Sequence, residues 1–339
     1  MLTISRIILK SFNPIAFKNH PEIYFVKFLF ISPRYVGGIG GHAFMLSEQL
    51  KKQGHEVDLL HAPHLPIKNF KNPSFILTST LQSFFNRSHY DIVHAFNVPS
   101  AFAMNISKAR KKVLSIHGTF SDAVKLIHSK SYGVLGSFLE SKAVKYADKI
   151  TTDSKYTKKM YKENMGVDLE YLPSPIDITK FPNFNSEKIE NQVAYVARAD
   201  YGKGIDILEN AESEIDGKVV YCTNLPWEQA MQVLYSSSVL AQPSRMESLA
   251  TTIKEAFFLK IPVVATNVGG NPELVENNVT GILVPPNDPA SLANAINHLL
   301  TNKELADRIS NNAYEFVINN MTWDSVIPKY IQFYNKLLE

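Results

Sequence analysis

Two carboxylates, Glu247 and Glu255, lie eight positions apart on either side of a predicted strand-to-helix turn. The apolar run at 236–242 predicts the strand, and the helix-forming residues at 251–259 predict the helix. Ligands of open α/β sheets bind at the carboxyl ends of strands, where this turn falls. Because a carboxylate offers several acceptor positions, it suits sugar hydroxyls or a ribose diol. The spacing alone is unspecific, since exposed Glu residues are common on solvated helices.

Two cations follow another predicted strand. Arg198 comes directly after the strand at 192–197, and Lys203 lies five residues later, at the mouth of the next helix. When a nucleoside diphosphate leaves a sugar, negative charge develops on a phosphate, and a fixed guanidinium and ammonium stabilise that charge. The two cations are therefore a candidate phosphate site.

A glycine loop, residues 37–41, separates the first predicted strand from the helix that follows. We expect Gly38, Gly40 and Gly41 to present backbone N–H groups and a helix N-terminus to a phosphate. The segment also fits the dinucleotide fingerprint G-x-G-x-x-A, so an NAD-dependent oxidoreductase is an alternative. That fold needs an acid at the end of the second strand, whereas the only nearby acid, Asp58, lies at the start of that strand.

Three histidines, His61, His94 and His117, fall at or near the ends of predicted strands. They could form a metal trio, but the short ligand spacing of metal sites is missing, so no metal is expected. A single histidine at a strand end is as often structural as functional. Its role therefore depends on the context in which it lies.

Predicted strands alternate with helices, which favours parallel, doubly wound α/β sheets. The strands are predicted at 26–32, 56–61, 91–94, 112–116, 192–197, 218–221, 239–242 and 261–266, with a helix at 41–53. Three prolines within 172–182 mark a linker. Because 339 residues exceed what one core usually spans, two domains are expected.

The composition is that of an ordinary globular protein, with 45% hydrophobic and 20% charged residues. One cysteine, Cys222, excludes a framework of intramolecular disulfides and suits a reducing compartment. No run approaches the length of a membrane span. Residues 1–16 are interpreted as an extension rather than a signal peptide, because Lys10 interrupts their apolar part.

Charge is divided unevenly between the two halves. Residues 1–180 hold 24 Lys and Arg against 13 Asp and Glu, whereas residues 181–339 hold 11 against 19. Much of the excess lies in a segment predicted to be helical, at Lys142, Lys145, Lys149, Lys155, Lys158, Lys159 and Lys162. Such a patch attracts anionic substrates or lipid headgroups, or is simply a solvated helix face. Nucleic acid is not expected, because no stacking aromatics or nucleic-acid motif accompany the lysines.

Residues 242–288 as a whole resemble the nucleotide-sugar site of retaining glycosyltransferases of family 4, the glycosyl transferases group 1. The matching motifs, in the family's order, are P-S-x-x-E-S, E-A, I-P-V-V-A-T-x-V-G-G-x-P-E and T-G-x-L-V-P-P-x-D. The resemblance covers about residues 26–335. It implies the GT-B architecture, in which two Rossmann-like doubly wound domains face each other across a cleft.

The resemblance also implies a domain organisation. An N-terminal acceptor-side domain would span 1–175, of which 1–25 are an extension, and a nucleotide-sugar domain would span 176–322. A final helix at 323–339 would return to the N-terminal domain. About 45 residues separate the two cations from Glu247, roughly half the family's usual number. We therefore expect a C-terminal domain that lacks one βα unit and has an altered base pocket.

The resemblance assigns roles to the candidate residues. Arg198 and Lys203 would stabilise the departing diphosphate, and His117 would face the donor sugar near the reacting carbon. The other predicted substrate-binding residues are Glu247 for the sugar, Glu255 for the ribose, Gly38, Gly40 and Gly41 for the phosphates, and Ser248, Leu249, Ala250 and Thr251. Ala250 stands where the family usually has glycine, and Thr251 and Lys254 replace apolar residues, so the sugar specificity stays open.

The implied reaction is retaining transfer of a hexose from a UDP-, GDP- or ADP-sugar to an acceptor hydroxyl, in the synthesis of a cell-envelope glycolipid, polysaccharide or glycan. No cofactor or metal is expected. The acceptor is expected to be lipid-linked or anionic, and the protein cytoplasmic with peripheral contact to the inner face of an anionic membrane. A non-catalytic partner subunit with the same fold is the alternative, and an NAD-dependent oxidoreductase a lesser one.

Overall fold

The computed structural model describes residues 25–35, 38–65, 67, 70–118, 130–184 and 187–339. Apart from Phe25, the extension predicted at 1–25 lies outside the described residues, and so does Gly37 of the glycine loop. No helix within the described ranges is both long and apolar enough to cross a bilayer.

Six parallel strands form the first sheet, in the spatial order β2-β1-β3-β4-β5-β6. They are β1 (Lys27–Ile31), β2 (Glu56–Leu60), β3 (Tyr90–Phe96), β4 (Ala109–Ile116), β5 (Lys149–Thr152) and β6 (Glu170–Tyr171). The helices between them are α1 (Gly38–Lys52), α2 (Lys71–Phe85), α3 (Ala101–Ile106), α4 (Lys130–Val144) and α5 (Lys155–Met165), with a 3-10 turn at Val98–Ser100 before α3.

Five parallel strands form the second sheet, in the order β11-β10-β9-β7-β8. They are β7 (Gln192–Val196), β8 (Lys218–Cys222), β9 (Val239–Gln242), β10 (Val263–Thr266) and β11 (Ile282–Val284). The helices are α6 (Ile205–Ala211), α7 (Trp227–Ser236), α8 (Thr251–Phe258), α9 (Asn271–Leu274), α10 (Pro289–Thr301), α11 (Lys303–Asn320) and α12 (Trp323–Leu338). The α/β class with two parallel sheets, predicted from the alternation, is confirmed.

The last helix, α12, packs against the first sheet although it follows the second in sequence. Its apolar face joins the core cluster that contains Phe28 of β1 and Leu46 of α1. Two of its tyrosines also make buried polar contacts: Tyr330 Oη lies 3.0 Å from His42 Nε2, and Tyr334 Oη lies 2.7 Å from His94 Nδ1. Buried polar groups require such partners, so these pairs fix the angle at which α12 docks.

Two local predictions are wrong. Helix α1 begins at Gly38, three residues before the predicted start, so the described glycines form its first turn rather than a loop. The lysine-rich segment is not one helix, because β5 separates α4 from α5 and begins at Lys149. The residues after Lys149, an isoleucine and two threonines, are β-branched and buried, and they pair with β4 and β6.

The turn before α9 brings the second sheet's loops into close contact. Gly269 has a φ of +53°, and Gly270 lies so close to the preceding loop that an added Cβ would be 1.7 Å from the carbonyl oxygen of Ser248. At φ −89° the backbone of Gly270 itself would accept any residue. Glycine is therefore required at 270 by proximity to Ser248, not by backbone conformation.

We expect Gly270→Ala to lower the free energy of unfolding by about 2 kcal/mol or more, because the methyl group must displace backbone. Thermal or denaturant unfolding would measure the loss. Gly54→Ala is the matched control: Gly54 has a φ of +90° with no atom within 4 Å of the added Cβ, so only strain of about 1 kcal/mol is expected. An equal loss in both variants would contradict the close approach.

Candidate active site

Glu247 lies in the loop between β9 and α8, and its carboxylate is held through one oxygen. Oε1 accepts from Lys203 Nζ at 2.6 Å, from Ser244 Oγ at 2.9 Å and from Gln242 Nε2 at 3.1 Å. Its side chain is only 8% exposed. Within the described residues, nothing hydrogen-bonds to Oε2, so the second oxygen remains available to accept from a ligand.

The two predicted phosphate cations have different environments. Lys203, in the 3-10 turn before α6, is engaged with Glu247, whereas the side chain of Arg198 is 79% exposed and lies 3.3 Å from Asp200. They do not form a preassembled pair. Lys203 is a fixed charge beside Glu247, and Arg198 is an exposed cation whose ion pair with Asp200 lies at the surface and is therefore weak.

Glu255 is buried on α8 rather than exposed. Its Oε1 accepts from Trp227 Nε1 at 2.8 Å, across from the start of α7. Burial raises the pKa of Glu255, and the hydrogen bond from Trp227 and the charge of Lys254 partly offset that rise. The carboxylate is thus fixed in place by the indole, which suits a precise acceptor for a diol.

His117 lies at the end of β4 and pairs with a carboxylate that sequence reasoning missed. Its Nδ1 is 2.9 Å from Oδ2 of Asp153, which follows β5. Because a carboxylate can only accept, Nδ1 donates its proton to Asp153, and in the tautomer that this bond selects Nε2 carries a lone pair. Among the described residues, this buried Nε2 atom has no hydrogen-bond partner.

The ionised form of Asp153 is stabilised by its neighbours. Burial alone would raise the pKa of Asp153, but the interaction with His117, including its hydrogen bond, and the charge of Lys254 outweigh burial and lower it. His42, whose ring lies 5.8 Å from that of His117, is held neutral because burial lowers its pKa to about 3. The cluster therefore contains one defined carboxylate and a histidine that it orients.

Lys254 brings a buried ammonium into the same region. It is 1% exposed, and its Nζ donates to the carbonyl oxygen of Ser174 at 2.5 Å, in the segment that connects the two sheets. Burial lowers the pKa of Lys254 to about 8, against the raising effects of Asp153 and Glu255. An apolar residue at this position could neither donate to Ser174 nor compensate Asp153.

The two halves of the chain meet directly beside these groups. Glu273 of α9 accepts at the start of α5, from Ser154 Oγ at 2.8 Å and from the backbone N–H groups of Lys155 and Tyr156 at 2.8 and 2.7 Å. A carboxylate at a helix N-terminus satisfies unpaired N–H groups and favours the helix dipole. Ser248 Oγ lies 3.2 Å from Thr157 Oγ1. The junction is therefore held by hydrogen bonds.

The remaining predicted residues fall into two groups. Gly38, Gly40 and Gly41 form the first turn of α1, where an added Cβ at Gly40 would lie 1.9 Å from the carbonyl oxygen of Arg34. Helix first turns carry unpaired N–H groups, which is the property the phosphate prediction needs. In the second half, Leu249 and Ala250 are buried, Ser248 is partly buried, and Thr251 is the exposed first residue of α8.

The described histidines are not arranged around a metal position. His94 is fully buried with its Nε2 2.7 Å from Ser115 Oγ, so both of its ring nitrogens are engaged. His61 packs its ring against Tyr35 at 5.0 Å. Among the described residues no group of three or more His, Cys, Asp or Glu side chains is placed to hold a metal ion.

Sequence reasoning missed Asp153, Trp227 and the capping role of Glu273. The signal for Glu273 was present, since it is the last residue of the motif G-G-x-P-E. Nothing local marked Asp153 or Trp227, because their partners lie 36 and 28 positions away. Lys254 was noticed only as a departure from an apolar position.

Two family models match successive parts of the chain. Residues 36–180 match the model described as Glycosyltransferase Family 4, and residues 208–316 match the model described as Glycosyl transferases group 1. An uncharacterised glycosyltransferase of Methanocaldococcus jannaschii is 23% identical, over 91% of this chain and 96% of its own length. A second from the same organism is 25% identical, over 89% and 95%.

Solved structures share the fold. Sucrose-phosphate synthase from Thermosynechococcus elongatus superimposes with a TM-score of 0.77 at 19% identity, covering 92% of this chain and 99% of the other. Anabaena HepE, in a crystal structure with UDP-glucose, gives a TM-score of 0.68 at 18% identity, covering 92% and 100%. Two parallel α/β sheets with alternating helices are the GT-B architecture, which these solved structures share. The chain belongs to the group 1 glycosyltransferases of family 4, as its motifs predicted.

The buried ammonium of Lys254 leads to a pH prediction. The pKa of Lys254 is about 8 in the folded chain and 10.5 in the unfolded chain. Between these pH values the unfolded chain keeps a proton on Lys254 that the folded chain has lost, so the free energy of unfolding rises with pH. Lys254→Met removes this contribution. We expect the unfolding free energy of the wild type, relative to the variant, to increase by about 3 kcal/mol across the window.

Denaturant unfolding at several pH values would measure this difference. Lys303→Met, at an exposed lysine that begins α11, is the control and should show a difference that does not vary with pH. A Lys254→Met difference that is equally flat would mean that the ammonium is not desolvated.

Proposed function

We propose that this protein transfers a hexose, with retention at the anomeric carbon, from a nucleoside diphosphate sugar to an acceptor hydroxyl. The observation that carries the proposal is Glu247: three donors fix one carboxylate oxygen and leave the other to accept from the ligand. Sugar hydroxyls are donors, so they suit an acceptor held in this way. The family membership of the chain supports the same reaction class.

The departing diphosphate would meet Arg198, Lys203 and the first turn of α1 with Gly38, Gly40 and Gly41. Arg198 is free to turn toward a phosphate, because it is exposed and its one ion pair with Asp200 is long. Charge that develops on the leaving phosphate is stabilised by cations and by N–H groups that are already in place. Binding of the diphosphate would therefore order Arg198 as the reaction proceeds.

The sugar and the ribose would lie on opposite sides of this phosphate site. His117 offers Nε2 as an acceptor near the loop at 248. The residue that follows it, Gly118, lies beside this loop, because a Cβ added to Gly118 would be 3.6 Å from the Cβ of Ser248. Ser248, Leu249, Ala250 and Thr251 would line the sugar pocket. Glu255 would accept from the ribose diol while Trp227 holds it in position.

The donor nucleotide is proposed to be uridine diphosphate. Support comes from Anabaena HepE, which shares the fold and has been solved with UDP-glucose. We propose that no metal takes part, because Arg198 and Lys203 can supply the charge that a metal would otherwise provide. The acceptor is proposed to be a lipid-linked or anionic hydroxyl compound of the cell envelope, reached from the cytoplasmic side by a protein that associates peripherally with the membrane.

Calorimetric titration with UDP-glucose, GDP-mannose and ADP-glucose tests the donor site. We expect one donor to bind, and Arg198→Ala and Glu255→Gln each to weaken it about tenfold or more, since each removes a charged hydrogen-bond partner. Glu255→Gln is chosen over alanine because its amide oxygen still accepts from Trp227. Arg308→Ala, at an exposed arginine on α11, is the control and should bind like the wild type.

Turnover separates an enzyme from a non-catalytic partner subunit. Release of nucleoside diphosphate in the presence of acceptor, with the product's anomeric configuration read by proton NMR, would establish retaining transfer. Donor binding that is abolished by Arg198→Ala but never followed by transfer would favour the partner subunit. Binding of a nicotinamide dinucleotide in place of every sugar nucleotide would exclude the proposal.

A further inference from the structure

Helix α2 buries one large apolar side chain, Phe75, and leaves four others exposed. Its buried residues include Ser79 and Ser83, which face the core beside α3. The side chains exposed to solvent are Leu77, Leu81, Phe84 and Phe85, the two phenylalanines at 71% and 73%. Contiguous exposed apolar surface on a globular protein marks a binding site for a partner or a membrane.

The exposed set follows helical spacing, so it forms one face. Positions 77, 81, 84 and 85 lie on the same side of α2, and the rings of Phe84 and Phe85 are 5.4 Å apart. A second apolar set, Val134, Leu135 and Phe138, is exposed on α4. Helices α2 and α4 both pack on α3 and on the 3-10 turn before it, so the two sets belong to one side of the first sheet's core.

The charge around this face is positive. Between Asp58 and Asp91 the chain contains no acidic residue, while it contains Lys68, Lys71 and Arg87. On α4 the ammonium of Lys142 lies 5.7 Å from the ring of Phe138. Apolar side chains flanked by cations, without acids, are the composition of surfaces that lie in the interface of an anionic bilayer.

The start of α2, which precedes the apolar face, lies near the candidate active site. The chain leaving the carboxyl end of β2 is tied to α2, because Thr78 Oγ1 donates to the carbonyl oxygen of Pro63 at 2.6 Å and the N–H of Leu65 donates to Ser74 Oγ. Burial, followed by the nearby charges of Arg34 and Arg198, lowers the pKa of Lys71 at the start of α2. The beginning of α2 thus lies near the cation proposed for the donor phosphates.

We propose that the apolar face of α2, extended by that of α4, inserts into the surface of an anionic phospholipid bilayer. Insertion would bring a lipid-linked acceptor to the site, and this role, but not the insertion itself, rests on the proposed function. A second copy of the chain fits less well. An isologous dimer would bring the cations beside α2, Lys71 and Arg87, close to those of the second copy, and residues 59–90 contain no acid to pair with them.

Flotation of the full chain with lipid vesicles tests the proposal. We expect binding to vesicles of phosphatidylcholine mixed with phosphatidylglycerol, and weaker binding to phosphatidylcholine alone. The triple variant Leu81→Ser, Phe84→Ser, Phe85→Ser should lower partition about tenfold or more, because it removes the inserted apolar area. Its thermal stability should not fall, since all three side chains are exposed.

Two controls make the result specific. Ile189→Ser, Leu225→Ser, Val279→Ser changes three exposed apolar residues of the second half and should leave partition unchanged. Replacement of the lysines of α5 by glutamine, at Lys155, Lys158, Lys159 and Lys162, tests the surface favoured by the sequence and should leave most of the partition intact.

Unchanged partition of the α2 triple variant would overturn the proposal, and so would loss of partition only in the α5 lysine variant. A wild-type dimer in sedimentation that the triple variant abolishes, with vesicle binding unaffected, would assign the face to self-association instead. Donor titration of the triple variant should match the wild type. Failure of donor binding in both proteins would count against the proposed function and not against the membrane surface.

Discussion

The buried carboxylate of Asp153 is the group on which the junction of the two halves depends. It pairs with His117 within the first sheet, lies 3.4 Å from Ser248 Oγ of the second half, and interacts with the ammonium of Lys254. A buried charge is tolerated only with compensating partners in good geometry. Strand β5 and helix α8 must therefore keep a fixed relation, and the position of His117 in the site follows from it.

That rigid junction leaves two acceptors without partners among the described residues. One is Nε2 of His117 and the other is Oε2 of Glu247. A polyol supplies hydroxyl donors, so two fixed acceptors distinguish it from a ligand that carries only acceptors. Two residues outside this pair support the arrangement. Glu273 caps the start of α5, and Gly270 allows its loop to approach the loop at Ser248 closely. The positions of the two acceptors are therefore set by contacts made elsewhere in the fold.

The outer side of the first half obeys a different constraint. Helix α2 buries Phe75 together with Ser79 and Ser83, whose small side chains let it approach α3, while Leu77, Leu81, Phe84 and Phe85 are exposed to water. Contact of these apolar side chains with water is unfavourable, and burial in a bilayer interface removes that contact. Residues 59–90, which include this helix, contribute Lys68, Lys71 and Arg87 to the basic excess of the first half and contain no acid. Fold stability and surface binding therefore place opposite demands on α2.

The alternation of strands and helices and the end of β9 at Gln242 were predicted from local periodicity, because apolar spacing and turn residues act over short stretches. The final helix was predicted only through the resemblance to the family. The motif at 242–288 likewise determined the family. The prediction of a helix through the lysine-rich segment was wrong at β5. The short β-branched run there forms a strand because it pairs with β4 and β6. The sequence also could not pair Asp153 with His117 or bury Lys254. Electrostatic pairing and desolvation depend on distance and burial in space, and only the tertiary structure decides those.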